Sequence, residues 1–196
     1  MAATSEIEVG YLKLIIGPMF SGKTTELIRE VRRYRSIGKN VLCINHMINR
    51  RYDRDDIVSH DKVAIDNGIV VEKLCDIFKN GEMIRKYEEA DIIAIEELQF
   101  FNDAYDFMTV VVERDNKYVI ACGLDGDFLR RPFGDVMRLI PFADDVLRIS
   151  AFCKICADGT KGIFSKKIVV ADTSETVKVG GSETYIPVCR KCYLRD

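Results

Sequence analysis

Gly17-Pro-Met-Phe-Ser-Gly-Lys-Thr24 is a complete phosphate-binding loop, and its flanks are the ones the motif needs. The apolar run Tyr11-Leu-Lys-Leu-Ile-Ile16 leads in and reads as a buried strand. An amphipathic stretch over 24–36 leads out, with Leu27, Ile28, Val31 and Tyr34 on one face at helical spacing. Gly17 and Gly22 let backbone N–H groups converge on phosphate oxygens. The helix N-terminus adds partial positive charge. Lys23 is placed to reach the β- and γ-phosphates of a nucleotide, and the Thr24 hydroxyl to ligate Mg²⁺.

Outward from this loop, strands and helices alternate. The pattern predicts strands over 39–45, 69–73, 91–95, 118–122 and 146–151. Helices are expected over 76–89, from Asn102 or Asp103 to 114, and over 135–142. Residues 47–61 read as a long charged loop. Such alternation indicates an α/β fold with a mainly parallel sheet.

The strand over 91–95 ends in Glu96-Glu97. An apolar strand delivering an acid to the carboxyl edge of the sheet is the usual partner of a phosphate loop, because ligands of open α/β sheets bind at that edge. One carboxylate is suited to hold Mg²⁺. The other, pointed elsewhere by strand alternation, is free to take a proton from a hydroxyl nucleophile. The adjacent Gln99-Phe100-Phe101 reads equally as core packing or as a base-sized pocket.

Cys153-x-x-Cys156 and Cys189-x-x-Cys192 are two knuckles of the kind that holds tetrahedral zinc. Four protein ligands leave no open position, so the metal is expected to be structural. It would pin both ends of the loop 159–188, which carries Gly180-Gly181 and Tyr185, over the site. Cys43, Cys75 and Cys122 lie singly and read as buried small hydrophobes.

The 196-residue chain suits one domain with a small appendage, divided here as 1–150 and 151–196. At 47% hydrophobic residues it can bury a sizeable core. The net charge of −2 supplies no general field for nucleic acid or anionic membrane. The polar start of the chain lacks the apolar run of a secretory signal, and no segment has the length of a membrane span. The expected setting is cytoplasmic.

Together these pieces resemble the type II thymidine kinases, the cytosolic and poxviral kind, over nearly the whole chain. The residues carrying the resemblance are the loop 17–24, Glu97-Leu-Gln-Phe-Phe101, Leu124-Asp-Gly-Asp-Phe128 with Arg131-Pro-Phe133, the cysteine pairs, Val179-Gly-Gly181 and Tyr185. The resemblance implies a P-loop, RecA-like α/β domain followed by a zinc-ribbon domain with a substrate-covering lasso loop. It implies transfer of the γ-phosphoryl of ATP to the 5′-hydroxyl of thymidine or deoxyuridine. Gly17, Pro18, Met19, Phe20, Ser21, Gly22, Lys23 and Thr24 would then cradle the donor, with Asn49, Arg50, Arg51, Glu96, Leu98 and Gln99 beside it. Mg²⁺ would sit on Thr24 and Glu96, and Glu97 would accept the 5′-hydroxyl proton. Arg51 would stabilise charge on the transferring phosphoryl, with Lys23 as a further catalytic cation.

Met19, Phe100, Leu124, Phe128 and Phe133 would form an apolar slot for a flat base. Thr176, Val177, Lys178, Val179, Gly180 and Tyr185 would approach the base edge, and Ser165 would stand near the thymine methyl. A homotetramer and feedback inhibition by thymidine triphosphate are also implied. Three positions depart from the family pattern: Glu96 and Asn49 stand where Asp is usual, and Lys178 lies in a generally apolar stretch.

Two other readings compete. One is a nucleoside kinase of broader or different base preference, because a hydrophobic slot discriminates a methyl by only about 1–3 kcal/mol. The other is a nucleic-acid-binding P-loop protein, suggested by Arg29, Arg32, Arg33 and Arg35 and by the zinc knuckles. Glu26, Glu30 and the acidic pI of about 5.8 weigh against it.

Overall fold

The computed structural model describes residues 9–49, 57–58, 64–65, 68–168 and 183–195. The expected site residues Arg50, Arg51, Thr176, Val177, Lys178, Val179 and Gly180 lie outside them, as do the side chain of Asn49 and the residue His60.

Six strands form one sheet: β1 (Tyr11–Ile16), β2 (Val41–His46), β3 (Gly68–Val71), β4 (Ile92–Ile95), β5 (Tyr118–Gly123) and β6 (Asp145–Arg148). Their order is β3-β2-β4-β5-β1-β6, and every neighbouring pair is parallel. Parallel strands are covered on both faces, so they read as continuous apolar runs. Leu12, Leu14, Ile93, Ile95, Val119 and Ala121 belong to one core, and the alternate residues Ile15, Ile92, Ala94, Ile120 and Cys122 to the other. Helix α1 (Lys23–Ser36) closes the second core with Leu27, Ile28 and Val31, each contributing about 1.5–3 kcal/mol on burial. Gly38, at φ 80, ends this helix.

The register decides where the site lies. Ile16 pairs with Gly123, and Ile95 pairs with Ala121. The segments leaving β1, β4 and β5 therefore emerge side by side at one carboxyl edge.

Four expectations need correction. The single helix over 76–89 is a 3₁₀ turn, Leu74–Lys79, followed by α2 (Gly81–Glu89). Asn80 divides them, because its side chain accepts from the N–H groups of Glu82 and Met83 and starts a new helix. The helix reaching 114 is α-helical only over α3 (Ala104–Met108), then widens to a π-type segment, Thr109–Arg114. Asp103 precedes it but does not cap it. Its carboxylate instead accepts from the N–H groups of Leu74 (3.1 Å) and Cys75 (2.9 Å). Cys75 is exposed rather than buried, whereas Cys43 and Cys122 are buried as expected.

Beyond β6 the chain forms small antiparallel pairs. β7 (Ala151–Phe152) pairs with β8 (Lys161–Gly162), and β9 (Phe164–Lys167) with β10 (Tyr185–Val188), before α4 (Arg190–Tyr193). The Ile168 N–H donates to the Thr184 carbonyl at 2.9 Å, joining the two ends of the segment 169–182. The local core is Cys153, Val188, Cys189 and Cys192, with Cys156, Phe164, Ile186 and Tyr193 against it.

Candidate active site

The turn after β1 leaves no room for a side chain at its first position. A Cβ on Gly17, whose φ is 151°, would stand 2.2 Å from the Ile149 carbonyl oxygen. Phe20 adopts φ 62 and Gly22 φ 86, so successive N–H groups curl toward one side. Ser21 Oγ and Lys23 Nζ both donate to the Pro18 carbonyl, at 2.8 Å and 2.7 Å. Desolvation inside this turn lowers the Lys23 pKa, against the opposing pull of Glu97.

The P-loop and the end of β4 are joined directly: the Thr24 hydroxyl donates to Glu96 Oε1 at 2.7 Å. Glu96 is 5% exposed, and its Oε2 is buried with no hydrogen-bond partner. An orphaned carboxylate oxygen beside a P-loop hydroxyl is a donor set that a hard cation such as Mg²⁺ would satisfy. The extra methylene relative to Asp does not carry Glu96 out of reach of Thr24. Burial, then the neighbouring Glu97, pushes the Glu96 carboxyl up to about 8 from its ordinary 4.5.

Between those two values the folded protein holds a proton that the unfolded chain has lost. Its stabilising effect is complete below 4.5 and disappears as pH rises through about 8. The nucleotide-free protein is therefore expected to lose stability across that window by up to about 1.4 kcal/mol per pH unit. Glu96→Gln should flatten this slope. Urea unfolding at several pH values checks it, and equal slopes in the two proteins would contradict the assignment.

Glu97 does not follow strand alternation. β4 ends at Ile95, and Glu97 turns away through left-handed backbone, φ 54 and ψ 42. Its Oε2 accepts from Gln99 Nε2 at 2.5 Å. Gln99 Oε1 in turn accepts from the Leu124 N–H at 3.0 Å, just past β5. Of the three residues 99–101, Phe101 packs in the core and Gln99 is 2% exposed, whereas Phe100 is half-buried. The Leu98 side chain is also core, so any donor contact from it would be through its backbone.

The expected base-slot residues fall into linked contacts. Phe100 meets Phe133 edge-on at 5.6 Å, and Phe128 lies 6.1 Å from Tyr185. The Met19 N–H donates to Ser165 Oγ at 3.0 Å, which ties the P-loop to β9. Tyr193 of α4 donates its hydroxyl to the Phe128 carbonyl at 2.8 Å, and Arg130 lies 4.4 Å from the Tyr193 ring centre. The loop after β5 therefore leans on the cysteine module. Sequence reasoning missed these last two contacts and also the Asp125–Arg148 pair at 2.9 Å. The Asp-Gly-Asp and Arg-rich composition of 124–133 was the available signal.

All four expected metal ligands converge. The Sγ atoms of Cys153, Cys156, Cys189 and Cys192 lie within 4.8 Å of one another, with Cys156 at 3.8 Å from Cys189 and 3.5 Å from Cys192. Tetrahedral zinc with bonds of about 2.3 Å sets its sulfurs about 3.8 Å apart, so the group fits. Burial raises the Cys153 thiol, but backbone hydrogen bonds involving Cys156, Cys189 and Ile155 outweigh it and bring it down to about 6. This favours the thiolate at Cys153, whereas hydrogen bonding with Cys192 and Cys153 pushes the Cys156 thiol up to about 12.

The arginine cluster on α1 has partners of its own. Arg29 pairs with Glu26 and Glu30, and Arg33 with Glu30. This leaves less free charge on that face for a phosphate backbone.

The thymidine kinase family model matches residues 10–193. The chain belongs to the thymidine kinase family. It is 40% identical to "Thymidine kinase a" of Arabidopsis thaliana over 187 residues, covering 95% of this chain and 76% of that protein. It is 41% identical to the thymidine kinase of Yaba monkey tumor virus, covering 95% and 96% of the two chains. The thymidine kinase of vaccinia virus (strain Western Reserve) is 37% identical over 185 residues, 94% of this chain and 97% of that one. The family match thus spans the sheet, the carboxylate pair and the four cysteines together. Among the described residues no helix is long and apolar enough to cross a membrane.

Proposed function

We propose that this thymidine kinase family member transfers the γ-phosphoryl of ATP to the 5′-hydroxyl of thymidine or deoxyuridine. The observation that carries this reading is the carboxylate pair: Glu96 bonded to the P-loop Thr24, and Glu97 turned away from it on left-handed backbone. One acid faces the donor's phosphates and the other is left for the acceptor.

In this reading the loop amides and Lys23 hold the donor phosphates. Thr24 and Glu96 hold Mg²⁺, which when bound neutralises phosphate charge. The acceptor's 5′-oxygen attacks the γ-phosphorus, its bond to ADP breaks, and the 5′-hydroxyl proton passes to Glu97. Arg51 supplies positive charge to the transferring group. Phe100, Phe128, Phe133, Leu124 and Met19 enclose the base, with Ser165, Tyr185 and the residues Thr176–Gly180 closing one side. Cys153, Cys156, Cys189 and Cys192 hold structural zinc. The same proposal includes the division into 1–150 and 151–196, a cytoplasmic homotetramer, and inhibition by thymidine triphosphate spanning base slot and P-loop.

The test is ATP·Mg²⁺ turnover by zinc-loaded protein with thymidine, deoxyuridine, deoxycytidine, deoxyguanosine or no nucleoside. Turnover with thymidine and deoxyuridine is expected. Turnover confined to another nucleoside would keep the chemistry and replace the substrate. ADP formation indifferent to nucleoside would overturn the proposal.

A further inference from the structure

We infer that Gln99 is a positioning residue that aims the Glu97 carboxylate, acting through Glu97 rather than by touching either substrate. This rests on the proposed role of Glu97. The Gln99 side chain donates from Nε2 to Glu97 Oε2 at 2.5 Å and accepts at Oε1 from the Leu124 N–H at 3.0 Å. The two partners fix the same amide orientation independently. A backbone N–H only donates and must face Oε1, and an ionised carboxylate only accepts and must face Nε2.

The housing of Gln99 is tight. A Cβ on Gly123 would stand 2.9 Å from Gln99 Oε1, and a Cβ on Gly134 would stand 2.3 Å from the Gln99 carbonyl oxygen. Gly134 also has φ 58. Two segments, the end of β5 against the side-chain amide and the loop before residue 135 against the backbone carbonyl, therefore close on a residue that is 2% exposed. Glu97 itself is only half-buried, and a glutamate on a left-handed turn has several rotamers open to it. The buried amide selects one of them. Misplacing a reacting group by about 1 Å can cost on the order of 10²-fold in rate, which sets the scale of what this restraint is worth.

The consequence is a residue whose loss is felt in kcat and only when Glu97 is present. Four zinc-loaded proteins test it: wild type, Gln99→Met, Glu97→Gln and the double variant, assayed with thymidine and ATP·Mg²⁺. Methionine keeps the length and burial but neither donates to Glu97 nor fills the role of acceptor. Gln99→Met is expected to lower kcat about 10–100-fold, with both KM values little changed. It should add nothing in the Glu97→Gln background. Gln99→Glu, assayed above neutral pH, keeps the acceptor for Leu124 and guards against a folding defect in the methionine variant. It is expected to lose kcat in the same way.

The same factor lost in both backgrounds would overturn the inference, because Gln99 would then act independently of Glu97. A raised KM for ATP with kcat held would overturn it in favour of direct donor contact. Wild-type kcat in both Gln99 variants, beside an impaired Glu97→Gln, would overturn the inference alone. Wild-type turnover by Glu97→Gln itself would remove the base assignment and the inference together.

Discussion

Glu97→Gln is expected to lower kcat for thymidine phosphorylation by about 10²–10⁴-fold, the usual worth of a positioned general base. KM for thymidine and for ATP should change little. The substitution preserves volume and one acceptor oxygen but removes the ability to take a proton. Of the two acids at the end of β4, Glu96 is committed to Thr24 at 2.7 Å and is buried, whereas Glu97 leaves the strand on left-handed backbone and stays half-buried. That difference is why the large kcat effect is assigned to the second acid. Steady-state kinetics of the zinc-loaded variant checks it. A variant with near wild-type kcat and a raised KM would make Glu97 a binding group instead.

Loss of zinc is expected to be nearly as severe, and for a different reason. Among the described residues the cysteine module has a core of Cys153, Val188, Cys189 and Cys192 with Cys156, Phe164, Ile186 and Tyr193 against it, which is too little apolar area to order it alone. Structural zinc contributes on the order of 10–16 kcal/mol in small metal-folded units, more than such a core can replace. Three links carry the consequence to the site. Ser165 on β9 accepts from the Met19 N–H, Tyr193 donates to the Phe128 carbonyl, and Tyr185 of β10 faces Phe128. Cys192→Ser, or chelation, should therefore abolish turnover at ordinary thymidine concentrations. The six-stranded sheet should keep its circular dichroism, because its two cores do not include the module. Stripped protein that turns over thymidine with unchanged KM would contradict this coupling.

Much of the site was legible because its chemistry is local in sequence. The P-loop lies between β1 and α1, with glycines at two of its three positive-φ positions, and its flanking strand and helix fall where the apolar pattern puts them. The acids at 96 and 97 follow an apolar run, and each cysteine pair sits on a single turn. What was hidden depends on partners distant in sequence. Asp103 looks like a helix cap, but Leu74 and Cys75 from another turn claim its carboxylate. Gln99 was open between core and pocket, and Leu124 at the end of β5 decides it by fixing the amide. Glu97 was expected to point away by strand alternation, yet the strand had already ended. Ser165 was assigned to the base through family resemblance, and its hydroxyl is found on the P-loop backbone. Three of these are tertiary contacts, which no local periodicity encodes, and the fourth, at Glu97, is a local break in the backbone.

The central claim is phosphoryl transfer to a nucleoside's 5′-oxygen. Phosphorus NMR of the product from thymidine and ATP·Mg²⁺ tests it most directly. One new monoester resonance, coupled to the 5′-methylene protons and formed in step with ADP, is the expected result. Inorganic phosphate formed in step with ADP, with thymidine left unmodified, would contradict it.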